Sequence, residues 1–212
     1  MMIISLVNQK GGVGKTTIAI NIGMGMARRN YKVGFLDTDP QGTASQWQSI
    51  EGNMAFEVKH HPSPVPAEEI MSKNQNHSLL VIDTPPAIGE ITQSVLELSD
   101  LAIIPLAPSV LDLWSSRTTI GMIQEAKKVN PKLEGRLLVS RKIPRTRLGR
   151  DGRDAIVALE MDVFETEISQ RIAYVESMIA GVSVFQYAPK SEASKEIENL
   201  CEEIIQGTIR AH

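Results

Sequence analysis

The segment Val7 to Thr17, VNQKGGVGKTT, ends a short apolar run, Ile3-Ile4-Ser5-Leu6-Val7, in glycines and then enters helix-forming sequence. A strand, a glycine-rich loop and a helix in that order leave few folds open, because they make the first unit of a parallel α/β sheet. Gly14-Lys15-Thr16 supplies the end of a phosphate-binding loop. Its glycines let backbone N–H groups close around phosphate oxygens, Lys15 adds a mobile cation, and the Thr16 hydroxyl can ligate Mg²⁺. The following helix aims its positive end at the same anion. Position 9, where the usual pattern has glycine, holds Gln9, and a second lysine, Lys10, stands directly before Gly11-Gly12.

Two further apolar runs end in acid. Val33-Gly34-Phe35-Leu36 leads into Asp37-Thr38-Asp39-Pro40-Gln41, and Leu79-Leu80-Val81-Ile82 leads into Asp83-Thr84-Pro85-Pro86. Such runs read as strands buried on both faces of a parallel sheet, with carboxylates at their C-terminal ends. Ligands of open α/β sheets bind at that edge, so Asp83 is the natural partner, through water, of a nucleotide-bound Mg²⁺. Asp before Pro also starts turns, and one acid alone would not separate the two readings. Three acids at two strand ends, downstream of a phosphate loop, favour the site.

Strands are expected near 2–7, 32–37, 55–60, 78–83, 100–105, 135–140 and 161–165, and helices near 15–29, 65–71, 89–98, 110–129, 150–159, 172–180 and 189–207. The alternation argues for an α/β fold: a mostly parallel twisted sheet with helices on both faces. No internal repeat and no long linker interrupts the 212 residues, so one domain over 1–212 is expected. The formal net charge of −3 makes no global demand for nucleic acid or lipid, and any basic surface must be local. Cys201 is the sole cysteine, which rules out an internal disulfide and fits a reducing, cytoplasmic setting. No basic leader precedes the first strand, and no apolar run approaches the ~20 residues of a membrane span.

Taken together, these residues resemble the ParA/MinD family of deviant-Walker P-loop ATPases. The resemblance rests on Lys10-Gly11-Gly12-Val13-Gly14-Lys15-Thr16-Thr17, on Asp37-Thr38-Asp39-Pro40-Gln41 and on Asp83-Thr84-Pro85-Pro86. It continues through Ile104-Pro105-Leu106-Ala107-Pro108-Ser109 to Gly181-Val182-Ser183-Val184-Phe185. Within the family the chain looks most like small, ParF-like ParA proteins, and no N-terminal helix-turn-helix domain is expected.

The resemblance implies a P-loop NTPase fold and a Mg²⁺-dependent ATPase. Residues 10–17 would hold ATP: Lys15 neutralises β/γ-phosphate oxygens, Thr16 ligates Mg²⁺ and Thr17 bonds the α-phosphate. Lys10 would cross a two-fold interface to the phosphates held by a second subunit, so that ATP joins a homodimer. One charge pair at ~4 Å and an effective dielectric near 20 is worth roughly 4 kcal/mol before desolvation. Asp39 would position the attacking water, Asp37 would support Mg²⁺-bound water, and Asp83 completes the metal set. A carboxylate that orients water adds little charge stabilisation, so slow hydrolysis stimulated by a partner is expected. In this family that partner is a ParB-like centromere- or cargo-bound adaptor, and the site of action is the nucleoid.

Six cations against one acid occupy thirteen residues from Arg141 to Arg153: Arg141, Lys142, Arg145, Arg147, Arg150 and Arg153. The strip reads as a non-specific, salt-sensitive DNA contact, or else as a solvated loop or a segment packed over the adenine. Residues 191–206 place Ile197, Leu200, Ile204 and Ile205 on one helix face among five glutamates. Lipid binding would want lysine and arginine there, so packing on the sheet is the better reading and no membrane partner is expected. Trp47 and Trp114 are expected to pack against neighbouring structure. Two alternatives share the scaffold: a MinD-like membrane-associated regulator, disfavoured by the acidic C-terminal helix, and a dethiobiotin synthetase-like metabolic enzyme, which has no evident use for Lys10.

Overall fold

A computed structural model describes residues 1–51, 55–64, 66–87, 89–144, 153 and 155–210. Six strands form one sheet: β1 (Met2–Leu6), β2 (Val33–Asp37), β3 (Val58–His60), β4 (Leu79–Asp83), β5 (Leu101–Leu106) and β6 (Glu134–Val139). They lie in the order β3-β2-β4-β1-β5-β6, and every pairing is parallel. The helices are α1 (Lys15–Ala27), α2 (Thr43–Glu51), α3 (Ala67–Lys73), α4 (Glu90–Leu98), α5 (Val110–Val129), α6 (Ile172–Ile179), α7 (Val184–Tyr187) and α8 (Glu192–Arg210).

Strand alternation sorts the core. Ile4 and Leu6 of β1, Leu79 and Val81 of β4, and Leu101 and Ile103 of β5 face α1 and α8. The intervening residues turn to the other face, where Ala102, Ile104 and Leu106 meet Ile120 and Ile123 of α5. On that face Leu80 and Ile82 meet Ile70 and Val95. Helices therefore cover both sides of a sheet whose strands are apolar on both faces, as the unbroken apolar runs require. α1 is buried along nearly its whole length. It approaches α8 closely at Gly25, where a Cβ would lie 2.6 Å from Cys201 Sγ. The last helix buries Ile197, Leu200 and Ile204 against that core, which accounts for its apolar stripe without lipid.

Several expected boundaries move. The expected strand at 55–60 shortens to Val58–His60, and the one at 161–165 reduces to a single parallel bridge, Leu137 to Val163. Of the expected helix at 150–159, residues 153 and 155–157 are helical, while 150–152 and 154 lie outside the described residues. α2 was not expected at all. Its sequence, TASQWQSIE, is polar apart from Ala44, Trp47 and Ile50, so no helical apolar stripe marks it. Trp47 packs into the core as expected. Trp114 does not: it is 64 % exposed on α5. A helix start is set there by local bonding at Ser109, not by burial of the ring.

Candidate nucleotide site

The register of the sheet assembles the site. Leu6 pairs with Asp83, and Asp37 also pairs with Asp83, so the ends of β1, β2 and β4 lie side by side. β1 has β4 on one flank and β5 on the other, and the loop leaving it rises at the point where the strand order reverses. Within that loop Gly12 and Gly14 have φ of 74° and 93°, a left-handed conformation that a side chain would strain. Gly14 also stands as the N-cap of α1, which leaves the first backbone N–H groups of the helix open to an anion.

Lys15 is buried, and its Nζ donates to the Lys10 carbonyl at 3.3 Å across the loop. Burial holds its pKa below the usual lysine value, while Asp83 and Asp39 pull the other way. The Thr16 hydroxyl donates to Asp83 Oδ2 at 2.6 Å. Asp83 is fully buried, and its other oxygen, Oδ1, has no hydrogen-bond partner among the described residues. Burial pushes its carboxyl up to about 7, with Asp37 adding to the rise and the Thr16 hydroxyl opposing it. A buried carboxylate oxygen without a donor is costly. A hydroxyl beside an orphaned carboxylate is a donor set that suits Mg²⁺ completed by water and phosphate oxygens.

Asp37 carries a role the residues alone did not disclose. Its Oδ1 accepts from Asp39 N at 3.1 Å, and its Oδ2 accepts from Ala44 N at 3.0 Å and Ser45 N at 3.2 Å. It thus caps the start of α2 and shapes the turn that carries Asp39. Asp39 Oδ1 accepts from Gln41 N at 2.9 Å, and the Asp39 carbonyl lies 2.9 Å from His60 Nε2. The left-handed Gly42 closes the same turn against His60. The hint of this in the sequence was the acid-proline turn, a reading that the three acids together had set below the metal site.

Lys10 turns to α5. Its Nζ lies 2.7 Å from Asp112 Oδ2. Sequence reasoning did not single out Asp112 as a contact, because Ser109-x-x-Asp112 reads as an ordinary helix start.

A cavity of about 400 Å³ opens beside the loop. Gly12, Thr16, Thr17 and Arg141 are among the residues that line it, together with Tyr174, Val175 and Met178. Arg141 donates from Nη1 to the Gly12 carbonyl at 2.6 Å, and Ser140 Oγ donates to the Val13 carbonyl at 3.0 Å. Ser140 and Arg141, directly after β6, are thus hydrogen-bonded to the phosphate loop. Lys142 pairs with Glu167, and Arg153 bonds Glu165 and Glu167 at 3.1 and 3.2 Å. These three basic-strip residues are each held within the chain, while Arg145, Arg147 and Arg150 lie outside the described residues. No helix among the described residues is long and apolar enough to cross a membrane.

The family model described as the CobQ/CobB/MinD/ParA nucleotide binding domain matches residues 4–203. A maintenance of carboxysome distribution protein A from Halothiobacillus neapolitanus is 36% identical over 207 residues, covering 95% of each chain. The chromosome-partitioning ATPase Soj of Thermus thermophilus is 24% identical over 244 residues, covering 95% of this chain and 94% of its own. Among solved structures, cobyrinic acid a,c-diamide synthase from Mycobacterium smegmatis, bound to an ATP analogue and magnesium, superposes with a TM-score of 0.78. That comparison covers 100% of this chain and 97% of the other at 17% identity, and it speaks to the fold alone.

Proposed function

This chain belongs to the CobQ/CobB/MinD/ParA nucleotide-binding family, and from that premise we propose that it is an ATP-driven positioning switch of the ParA type. ATP with Mg²⁺ occupies the loop of residues 10–17, two chains pair over their nucleotides, and the pair binds DNA without sequence preference. Slow hydrolysis, accelerated by a cargo-bound adaptor of ParB-like role, resets it, and the working surface is the nucleoid. The observation that carries the reading is the second lysine. Lys10 reaches away from its own loop to the start of α5, and its side chain is 38 % exposed. Leu111 and Trp114 on the same turns of α5 are 66 % and 64 % exposed, an apolar surface suited to a second copy.

The chain's own residues supply the steps of hydrolysis. The loop's N–H groups and Lys15 bind the triphosphate, and the Thr16 hydroxyl and Asp83 hold the metal, which screens charge between phosphates. Asp39, set by Asp37 and Gln41 N–H, orients the attacking water. Of the two similar proteins, one maintains carboxysome distribution and the other is a chromosome-partitioning ATPase, and both roles place a cargo. Their common element is what is proposed here; the carboxysome relative's higher identity favours a protein compartment as cargo.

A titration of non-specific duplex DNA without nucleotide, with ADP and with ATP, at two salt concentrations, tests the reading. Binding with ATP alone, weakening steeply with salt, is expected. Equal binding in all three states would contradict it and favour a metabolic enzyme or a lipid-bound regulator.

A further inference from the structure

We propose that His60, at the end of β3, is a positioning residue for hydrolysis: its imidazole holds the backbone of the turn that carries Asp39. This inference rests on the reading that Asp39 orients the attacking water. His60 Nε2 lies 2.9 Å from the Asp39 carbonyl oxygen. A carbonyl oxygen only accepts, so the hydrogen sits on Nε2 and the ring donates. The turn also leaves room for the ring. A Cβ at Gly42 would lie 3.4 Å from His60 Nε2 and 3.5 Å from Cε1, so the glycine that closes the turn lets the imidazole lie against it.

Asp39-Pro40-Gln41-Gly42 is a β-turn. Gly42 N donates to the Asp39 carbonyl at 2.9 Å, Pro40 fixes φ at the second position, and Asp39 Oδ1 accepts from Gln41 N at 2.9 Å. Asp37 Oδ1 accepts from Asp39 N. All of these partners belong to residues 37–42, and a short stretch bound to itself can shift as a body. His60 comes from a different strand. It stands opposite Asp37 in the β2–β3 register, and His61 N donates to the Asp37 carbonyl at 2.8 Å. The Asp39 carbonyl therefore receives one donor from within the turn and one from outside it.

β3 is short, so its own anchoring matters. Val58–His60 is clamped by Gln48 of α2, whose Oε1 accepts from Val58 N at 2.9 Å and whose Nε2 donates to the Phe56 carbonyl at 2.9 Å. α2 in turn starts on the Asp37 carboxylate. A closed circuit results: Asp37 sets α2, Gln48 of α2 sets β3, and His60 of β3 returns to the turn between Asp37 and α2. The circuit ties the Asp39 carboxylate to the edge of the sheet, where a misplacement of ~1 Å in a reacting group can lower a rate about 100-fold. It runs through residues 37–60 and leaves the phosphate loop out, so nucleotide binding and hydrolysis respond to it separately.

The test is phosphate release at saturating ATP and Mg²⁺, with AMPPNP affinity measured in parallel, for the parent chain, His60→Ala, His60→Asn, His60→Gln, Asp39→Ala and the His60→Ala/Asp39→Ala double variant. Glutamine places an N–H close to where Nε2 stands, whereas the shorter asparagine places its amide nearer Nδ1. His60→Ala and His60→Asn are expected to lower kcat at least about tenfold with AMPPNP affinity within about twofold of the parent, and His60→Gln to recover most of the loss. The double variant is expected to be no slower than Asp39→Ala alone. Parental kcat in His60→Ala, equal losses in all three substitutions, a matching loss of AMPPNP affinity, or a further loss in the double variant would overturn the assignment. Should His60→Ala fail to fold, the asparagine and glutamine variants carry the same comparison. Parental hydrolysis by Asp39→Ala is a separate failure: it removes the water-orienting acid on which the inference stands.

Discussion

Lys15, Thr16, Asp39 and Asp83 converge at one point, and each does so for a reason that a single substitution can expose. Lys15 is buried and faces two acids, so removing it leaves the phosphates without their cation. Lys15→Ala should weaken ATP binding about 10–100-fold, the range for a hydrogen bond to a charged group, as isothermal titration would show. Asp83→Asn keeps the size of the side chain and removes the charge from a fully buried position. Nucleotide binding to that variant should lose its dependence on Mg²⁺; titrations with and without EDTA that still differ as in the parent would move the metal elsewhere. Asp39→Ala should cut phosphate release at least about 100-fold while AMPPNP-bound pairs persist. Such variants separate chemistry from assembly, because among the described residues Asp39 bonds within its own turn and to His60.

At the level of elements, the loop between β2 and α2 and the α1–α8 contact make distinct demands. Asp37→Ala deprives three backbone N–H groups of their acceptor. Its urea midpoint should fall by an amount equivalent to about 2 kcal/mol, with α2 and the Asp39 turn loosened first. Gly25→Ala introduces a Cβ 2.6 Å from Cys201 Sγ and 3.3 Å from the Phe185 ring. That overpacking should cost about 1–3 kcal/mol, and Cys201→Ala should recover part of it in the same background. The long apolar elements were legible in the sequence: five of the strands and α5, α4 and α8 lie within a few residues of where periodicity put them. α2 was not, because its stability comes from the Asp37 carboxylate seven residues back and from one buried tryptophan. The short helix α7, four residues closed by a capping box between Ser183 and Gln186, falls below the length at which a periodic signal exists. The edge at Val163 makes a bridge in place of a strand, which an isolated alternating run could not distinguish.

At the scale of the whole molecule, the phosphate loop and its acids were readable because glycine, lysine and aspartate at strand ends are tied to backbone geometry. The destinations of Lys10 and the basic strip were not, because long charged side chains choose partners across the fold. Asp112 is 102 residues from Lys10 in the chain, and Glu167 draws both Lys142 and Arg153. Arg145, Arg147 and Arg150 of the strip carry the test of the proposed DNA contact. Neutralising those three together should flatten the salt dependence of DNA affinity by roughly 3 units per subunit engaged. An unchanged slope would place the DNA surface on another part of the molecule. The most direct trial of the account is a co-crystal with Mg²⁺ and AMPPNP, in which the position of Lys10 Nζ is read. The account predicts two chains face to face, with each Lys10 within hydrogen-bond distance of phosphate oxygens held by the other. A nucleotide-saturated single chain with Lys10 still seated on its own Asp112, and one chain's mass in solution, would contradict it.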